Sequence, residues 1–376
     1  MERGDATRRP SRFSPSAPRY APCSTAGVSE IVESNWEGER RALLGRRISD
    51  LGLSLQGTRL EQLVARLYEE LGAKELRFRP PVYLSDQWGC PDDTPLIGVP
   101  FYLADERLAR IEAEEAIEVE DERDIMRYLR HEAGHAFNYA YRLYDRSDWR
   151  QLFGPYSRPY RDRYRADPFS RAFVRHILGW YAQKHPDEDF AETFAVWLTP
   201  GIDWRSEYAG WGALDKLEYV DRVMKEIGDE QPLVPAVTPD DLPVESMDYT
   251  LADHYRDGAT DVPVTDARHF DGDLRTIFAS GEESPAGEDA ATFLRRHRRE
   301  IVSRIAYWTG EGAVAVRAFV DTLSERTAAL GLRVRGLEAS TLIELTAFGT
   351  AVVMNHRYTH ALRRPPKQSR AGSVAT

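Results

Sequence analysis

Disulfide chemistry is all but missing from this sequence. Its 376 residues contain only Cys23 and Cys90, too few for a covalent framework, which points to a reducing compartment. Long hydrophobic runs are missing too. No stretch approaches the ~20 apolar residues that a membrane-spanning helix needs, and the first residues lack the apolar core of a secretory signal. The expectation is a cytoplasmic protein with no membrane partner. Excess positive charge is also absent: 50 Lys and Arg stand against 61 Asp and Glu, a net charge of −11. That balance argues against nucleic acid as a partner, since nonspecific binding rests on neutralising phosphates. No internal repeat is visible, and nothing in the composition fixes an oligomeric state. What remains, 42% hydrophobic and 30% charged residues, is ordinary for a globular protein of one large domain or two smaller ones.

One short stretch names a chemistry: His131-Glu132-Ala133-Gly134-His135. Two histidines four positions apart on a helix share a face, one turn above the other. Both imidazoles can reach one tetrahedral Zn²⁺, and a glutamate after the first histidine is placed to take a proton from water and pass it to a leaving amine. The surroundings read as a helix. No proline occurs over 121–143, and Ile125, Leu129, Ala133, Ala136, Phe137 and Ala140 form an apolar stripe at helical spacing. His131 and His135 fall on another face, with Tyr128 and Asn138. Glu120, Asp121, Glu122 and Asp124 suit a helix N-terminus.

A catalytic zinc site needs a third protein ligand and keeps its fourth position for water. A third histidine six residues after His135, with a glycine three residues before it, would make the metzincin arrangement. Tyr141 and Asn138 occupy those positions and exclude it. The better source lies over 185–198, where Pro186 and Asp187 open a helix and Thr199-Pro200-Gly201 stops it. Phe190, Phe194, Trp197 and Leu198 line one face, and Glu188 and Glu192 lie one turn apart on another. Two carboxylates on an aromatic-rich helix are costly to bury without a positive partner, which a zinc ion would supply. A solvated acidic helix start is the competing reading, and spacing alone does not rank Glu188 against Glu192.

The pair of segments, HEAGH and EDFAE, resembles the gluzincin group of zincin metallopeptidases. In that group a HExxH helix is followed by a second helix carrying a glutamate ligand, with an acidic residue four positions later. The aromatic-Ala-Glu ending is most similar to the catalytic domain of the anthrax lethal factor type, and to bacterial proteins described only as zinc-binding metallopeptidases. The resemblance covers roughly residues 75–200, and the segment between the motifs has no counterpart. It implies a metal site of His131, His135 and Glu188, with Glu192 behind a ligand histidine. It also implies Glu132 as the general base and Tyr181, seven residues before Glu188, as the oxyanion partner.

The run 95–103 reads as a β-strand whose prolines suit a sheet edge, with companions at 77–79 and 81–84. Zincins lay the substrate along such an edge by strand addition. Residues 36–49 and 58–71 read as helices, with Gly72 closing the second. A long loop over 150–175 leads into a short helix over 171–181. His176 and His185 read as structural or solvent-facing. Further helices are expected over 212–227, 288–308, 312–330 and 337–356. The arginines around His297 share their helix with Glu288, Asp289 and Glu300 and read as a solvated face of mixed charge. His356 and His360 repeat the four-residue spacing without a following glutamate, and read as incidental.

The expected architecture is α+β: a zincin-like catalytic domain with a small sheet and an active-site helix, then a mainly helical C-terminal region. The boundaries read as a disordered basic arm (1–30), the catalytic domain (31–229), a Pro-rich linker (230–245), the helical region (246–365) and a disordered tail (366–376). The expected function is that of a zinc-dependent peptidase cleaving a peptide or protein substrate through a metal-activated water, with Glu132 as general base. The alternatives are a non-catalytic zinc-binding scaffold and a zinc hydrolase of a non-peptide amide or ester. A scaffold has no use for Glu132 and would close all four metal positions.

Overall fold

The computed structural model describes residues 26–115, 119–161, 164–236, 243–257, 267–311 and 313–363. The basic arm up to residue 25, the C-terminal tail and residues 237–242 of the Pro-rich linker lie outside these. The chain divides into two compact units, 1–43 and 44–376. The described part of the first is a single helix, α1 (Ala26–Leu44), which runs to the start of the second.

In the second unit, α2 (Arg59–Ala73) is followed by strands β1 (Val82–Ser85) and β2 (Ile97–Pro100), then α3 (Glu106–Glu115) and α4 (Glu122–Ala140). Next come α5 (Ser147–Phe153), α6 (Pro186–Leu198), α7 (Trp204–Glu207), α8 (Ala213–Ile227) and α9 (Leu251–Asp257). The last part holds α10 (Asp271–Ile277), β3 (Ala279–Ser280), α11 (Ala290–Arg296), α12 (Arg298–Thr309), α13 (Ala313–Ala329), β4 (Leu332–Arg333) and α14 (Glu338–Arg363). The result is a mixed, mostly helical fold with very small sheets. No helix among the described residues is long and apolar enough to cross a membrane.

Caps set the helices that matter. The Asp121 carboxylate accepts from Asp124 N–H at 2.9 Å to open α4, and the His185 ring accepts from Asp187 N–H to open α6, with Pro186 as the first residue; both satisfy otherwise orphaned N–H groups. Every one of the 13 residues of α6 is buried, its acidic ones included. It packs along α4, where Phe194 stacks on Phe137 with ring centroids 5.1 Å apart. A buried two-pronged ion pair, Arg130 to Glu70 at 2.7 Å for each prong, ties α4 to α2.

Gly134 is what lets α4 and α6 approach. A Cβ placed there would lie 2.7 Å from Ala191 Cα and 2.9 Å from Ala191 O, backbone atoms that move only if a helix moves. Gly134→Ala gains up to ~1 kcal/mol of helix propensity but overpacks the crossing, which costs about 1–3 kcal/mol or more. Net destabilisation in urea unfolding is the expected outcome, and a gain in stability would contradict the close crossing.

Several expectations are corrected. The strand predicted at 95–103 exists only as β2. It pairs parallel to β1 in the register Val82↔Ile97 to Ser85↔Pro100, and all four of its residues are buried. Its outward side is taken as well, since Gly98 N donates to Gly89 O at 2.7 Å and Gly89 N to Gly98 O at 3.3 Å. β2 therefore has no free edge at Gly98 for strand addition. Residues 77–79 form no strand, and Arg77 N donates instead to Gly228 O at the end of α8. Nor is 171–181 a helix. Gly179 (φ 75°) and Trp180 (φ 58°) are left-handed, which breaks helical geometry just before a single 3₁₀ turn at Tyr181–Gln183. The helix expected over 288–308 is two helices, α11 and α12, meeting at His297. With that break, Phe293 and Leu294 of the first and Ile301, Val302 and Ile305 of the second share one core with Phe319, Leu323 and Leu345. In α2, Gly72 lies inside the helix and Lys74 caps it. Two of the arginines near the break are paired, Arg296 with Glu288 at 2.6 Å and Glu338 at 3.1 Å, and Arg298 with Asp321 at 3.4 Å.

The start of the Pro-rich segment is docked. Leu233 and Val234 N–H groups both donate to Ala140 O at the end of α4, at 2.8 and 3.0 Å. Beyond it the chain returns to residues 47–50, with Ile48 N bonded to Tyr249 O and Ser49 N to Met247 O.

Candidate metal centre

α4 and α6 present their polar faces to each other at one point. His131 and His135, one turn apart on α4, face Glu188 on the first turn of α6. His131 Nε2 and His135 Nε2 are 3.1 Å apart, and Glu188 Oε2 lies 3.1 Å from the first and 3.2 Å from the second. All three residues are buried. They are the group of His, Cys, Asp and Glu side chains among the described residues whose donor atoms could hold a metal ion.

Behind each imidazole stands a second carboxylate. Glu192 Oε1 lies 2.8 Å from His131 Nδ1, and Asp187 Oδ2 lies 2.9 Å from His135 Nδ1. These partners put the ring hydrogen on Nδ1 in both histidines and leave the Nε2 lone pairs pointing at each other. Two lone pairs and a carboxylate oxygen at such distances repel unless a cation sits among them, whether a proton or a metal. Ligands held about 2.0–2.1 Å from a tetrahedral zinc lie about 3.3–3.4 Å from one another, close to the separations here. The residues fit the ion.

Glu192 and Asp187 are themselves held. Glu192 Oε2 accepts from Ile177 N–H at 2.8 Å. Asp187 accepts from Asn138 Nδ2 and from the Tyr139 hydroxyl, both at 2.6 Å. Electrostatics follow from this packing. Burial opposes a charged imidazole, yet the hydrogen bonds to Glu188 and Glu192 outweigh it and push His131 up to about 9. His135 is raised in the same way, against burial, chiefly by Asp187. Burial also opposes ionisation of Glu188, but its hydrogen bonds to the two histidines hold it well below the usual carboxylate range.

Glu132 differs from its neighbours. It is buried, yet among the described residues its carboxylate has no hydrogen-bond partner, and burial raises its pKa despite the two nearby histidines. A desolvated carboxylate without a hydrogen-bond partner, beside residues that could hold a cation, has raised basicity. Cys90, considered in the sequence only for disulfides, is a free thiol donating to Thr94 O at 3.2 Å. Burial, then Glu132 and Asp187, push it up, so it stays protonated.

Tyr181 lies against this group. Its ring centroid is 5.6 Å from that of His131, and its hydroxyl takes a hydrogen bond from Lys184 Nζ at 3.2 Å. Burial, then Glu188, raise its pKa, keeping the phenol a donor. A cleft of about 810 Å³ runs from Tyr181 and Tyr128 across to Ser303 and Tyr307 of α12. The two other nearby histidines hold backbone: His176 Nε2 meets Arg127 O at 3.0 Å, and His185 Nε2 meets Arg158 O at 2.7 Å.

Sequence reasoning missed Asp187 and Tyr160. Asp187 was assigned to the acidic helix start, although its place immediately before Glu188 in a buried helix was a signal. Tyr160, whose hydroxyl donates to Glu188 Oε1, sits in a loop rich in arginine and tyrosine where no spacing marks it.

Residues 98–205 match the model of a family described as "Putative zinc-binding metallo-peptidase". That match supports a zinc metallopeptidase. It spans β2 to the start of α7 and contains both helices of the centre. No curated protein and no solved structure matches the chain.

Proposed function

We propose that this chain is a zinc-dependent peptidase of the gluzincin kind, with His131, His135 and Glu188 as ligands and a peptide or protein as substrate. One observation carries the reading: three buried donor atoms converge within 3.2 Å of one another beside a buried glutamate that has no hydrogen-bond partner among the described residues. Bound there, zinc would polarise the scissile carbonyl and acidify a water in the position the three ligands leave open. Glu132 accepts the proton of that water and returns it to the leaving amine. Glu192 and Asp187 hold the two imidazoles in the tautomer that keeps Nε2 free. The Tyr181 phenol donates to the developing oxyanion.

The cleft beside Tyr181 supports an account of the C-terminal helices in which α12 forms one wall of the substrate site. With β2 buried and its Gly98 already bonded to Gly89, the substrate lies in this cleft rather than on the sheet. The catalytic region, the Pro-rich connection and the helical region then work as one enzyme, in the cytoplasm.

Metal analysis of the purified protein tests the centre, with about one zinc per chain expected from the stoichiometry of such sites and none in the His131→Ala/His135→Ala double variant. Full retention in that variant would sink the assignment. Digestion of a mixed peptide library by the zinc-loaded protein tests the activity. A loaded protein that cleaves no peptide would refute the peptidase reading while leaving the metal centre in place.

A further inference from the structure

The loop between α5 and α6 reaches over the metal centre with one side chain. Tyr160 is half exposed, 53% of its surface being accessible, yet its hydroxyl turns inward and donates to Glu188 Oε1. The other oxygen of the same carboxylate, Oε2, is the one beside the two Nε2 atoms, at 3.1 and 3.2 Å. The two oxygens of Glu188 thus have separate partners.

The loop is built to hold this contact. The Tyr160 ring lies 5.4 Å from the His185 ring, centroid to centroid, and Lys184 Nζ sits 4.3 Å above it. That lysine also lies over the Tyr181 ring at 4.9 Å, and the Tyr160 and Tyr181 hydroxyls are 3.4 Å apart. Further along, the Tyr164 hydroxyl donates to Gly179 O at 2.7 Å. Asp167 and Gln183 exchange two bonds, each of 2.8 Å.

A carboxylate can bind a cation through one oxygen or through both. A charge-assisted hydrogen bond on one oxygen draws electron density from it and fixes the carboxylate plane. The cation is then left to the other oxygen. We infer that Tyr160 is a positioning residue that makes Glu188 a one-oxygen ligand and so keeps a coordination position open for water and substrate. The inference rests on the metal-centre reading above. Without this hydroxyl, Glu188 swings to offer both oxygens, which fills the open position and closes the site as structural zinc sites are closed.

Tyr160→Phe tests this, because it removes only the oxygen and leaves the ring in place against His185 and Lys184. The readouts are Zn²⁺ titration against a competing chelator and the visible spectrum of the Co²⁺-loaded protein, whose bands are strongest for four-coordinate metal and weaken as the coordination number rises. Tyr160→Phe is expected to bind one metal per chain, with zinc affinity changed on the order of 10-fold or more and with weaker Co²⁺ bands than the parent. Tyr164→Phe, which loosens the same loop elsewhere, is expected to leave both readouts as in the parent. A Tyr160→Phe protein with parental affinity and parental spectrum overturns the proposal. So does a Tyr164→Phe protein showing the same change, since loop order alone would then explain it. A parent protein that takes up neither ion refutes the metal centre itself, a failure distinct from the other two.

Discussion

Glu132→Gln is expected to keep about one zinc per chain and to lose most of its turnover, on the order of 10²–10⁴-fold in kcat. Glutamine is nearly the same shape, and among the described residues Glu132 makes no hydrogen bond that the change would break. The fold and the donor set should be untouched. What is lost is the ability to accept a proton, because an amide is not basic at neutral pH. The desolvation that raises the Glu132 pKa makes it a stronger base than an exposed glutamate, so the loss should be larger than removal of a solvated carboxylate would cause. Paired metal analysis and kinetics on parent and variant check both halves. Normal turnover by the zinc-loaded variant would remove Glu132 from the reaction and the peptidase reading with it.

The second large effect separates ligand from support on one helix. Glu188→Ala should reduce zinc affinity most, since it deletes the oxygen that lies 3.1–3.2 Å from both Nε2 atoms and its charge. Glu192→Ala and Asp187→Ala should each weaken binding by about 10–100-fold, the range for groups that orient a ligand without touching the metal. Their effects should be comparable, because each carboxylate stands behind one imidazole at nearly the same distance, 2.8 and 2.9 Å. The measurement is zinc titration against a chelator for all variants at one pH. A greater loss in Glu192→Ala than in Glu188→Ala would move the ligand one turn along α6.

The expected helices were largely readable because their signals are local. The cap at Asp121, the apolar stripe through Ala133 and Phe137, and the Pro186 start with its Thr199 stop act within one or two turns of backbone. The failures were places where a local signal was overruled. The apolar run around Ile97 has the composition of an exposed strand and of a buried one, and only the arrival of Gly89 against Gly98 tells them apart. The stretch before Tyr181 has no proline to warn of the left-handed Trp180. The long helical pattern over 288–308 is periodic enough to pass as one helix, and the break at His297 appears only when both halves turn toward Phe319 and Leu345.

The same division runs through the centre. By itself, the sequence determined that two imidazoles and a glutamate share a helix and that a second helix carries spaced carboxylates, because helical periodicity places residues four apart on one face whatever surrounds them. It could not choose which carboxylate meets the Nε2 atoms, since Glu188 and Glu192 share a face and differ by one turn. The tertiary structure decided that choice of neighbour by the crossing of α4 and α6. Gly134 against Ala191 brings the helices close enough for Glu188 to reach between the histidines. The same crossing puts Asp187 and Glu192 behind them and delivers Tyr160 from a loop that carries no motif. Distances between separate segments depend on packing, and packing is not a local property of any of them.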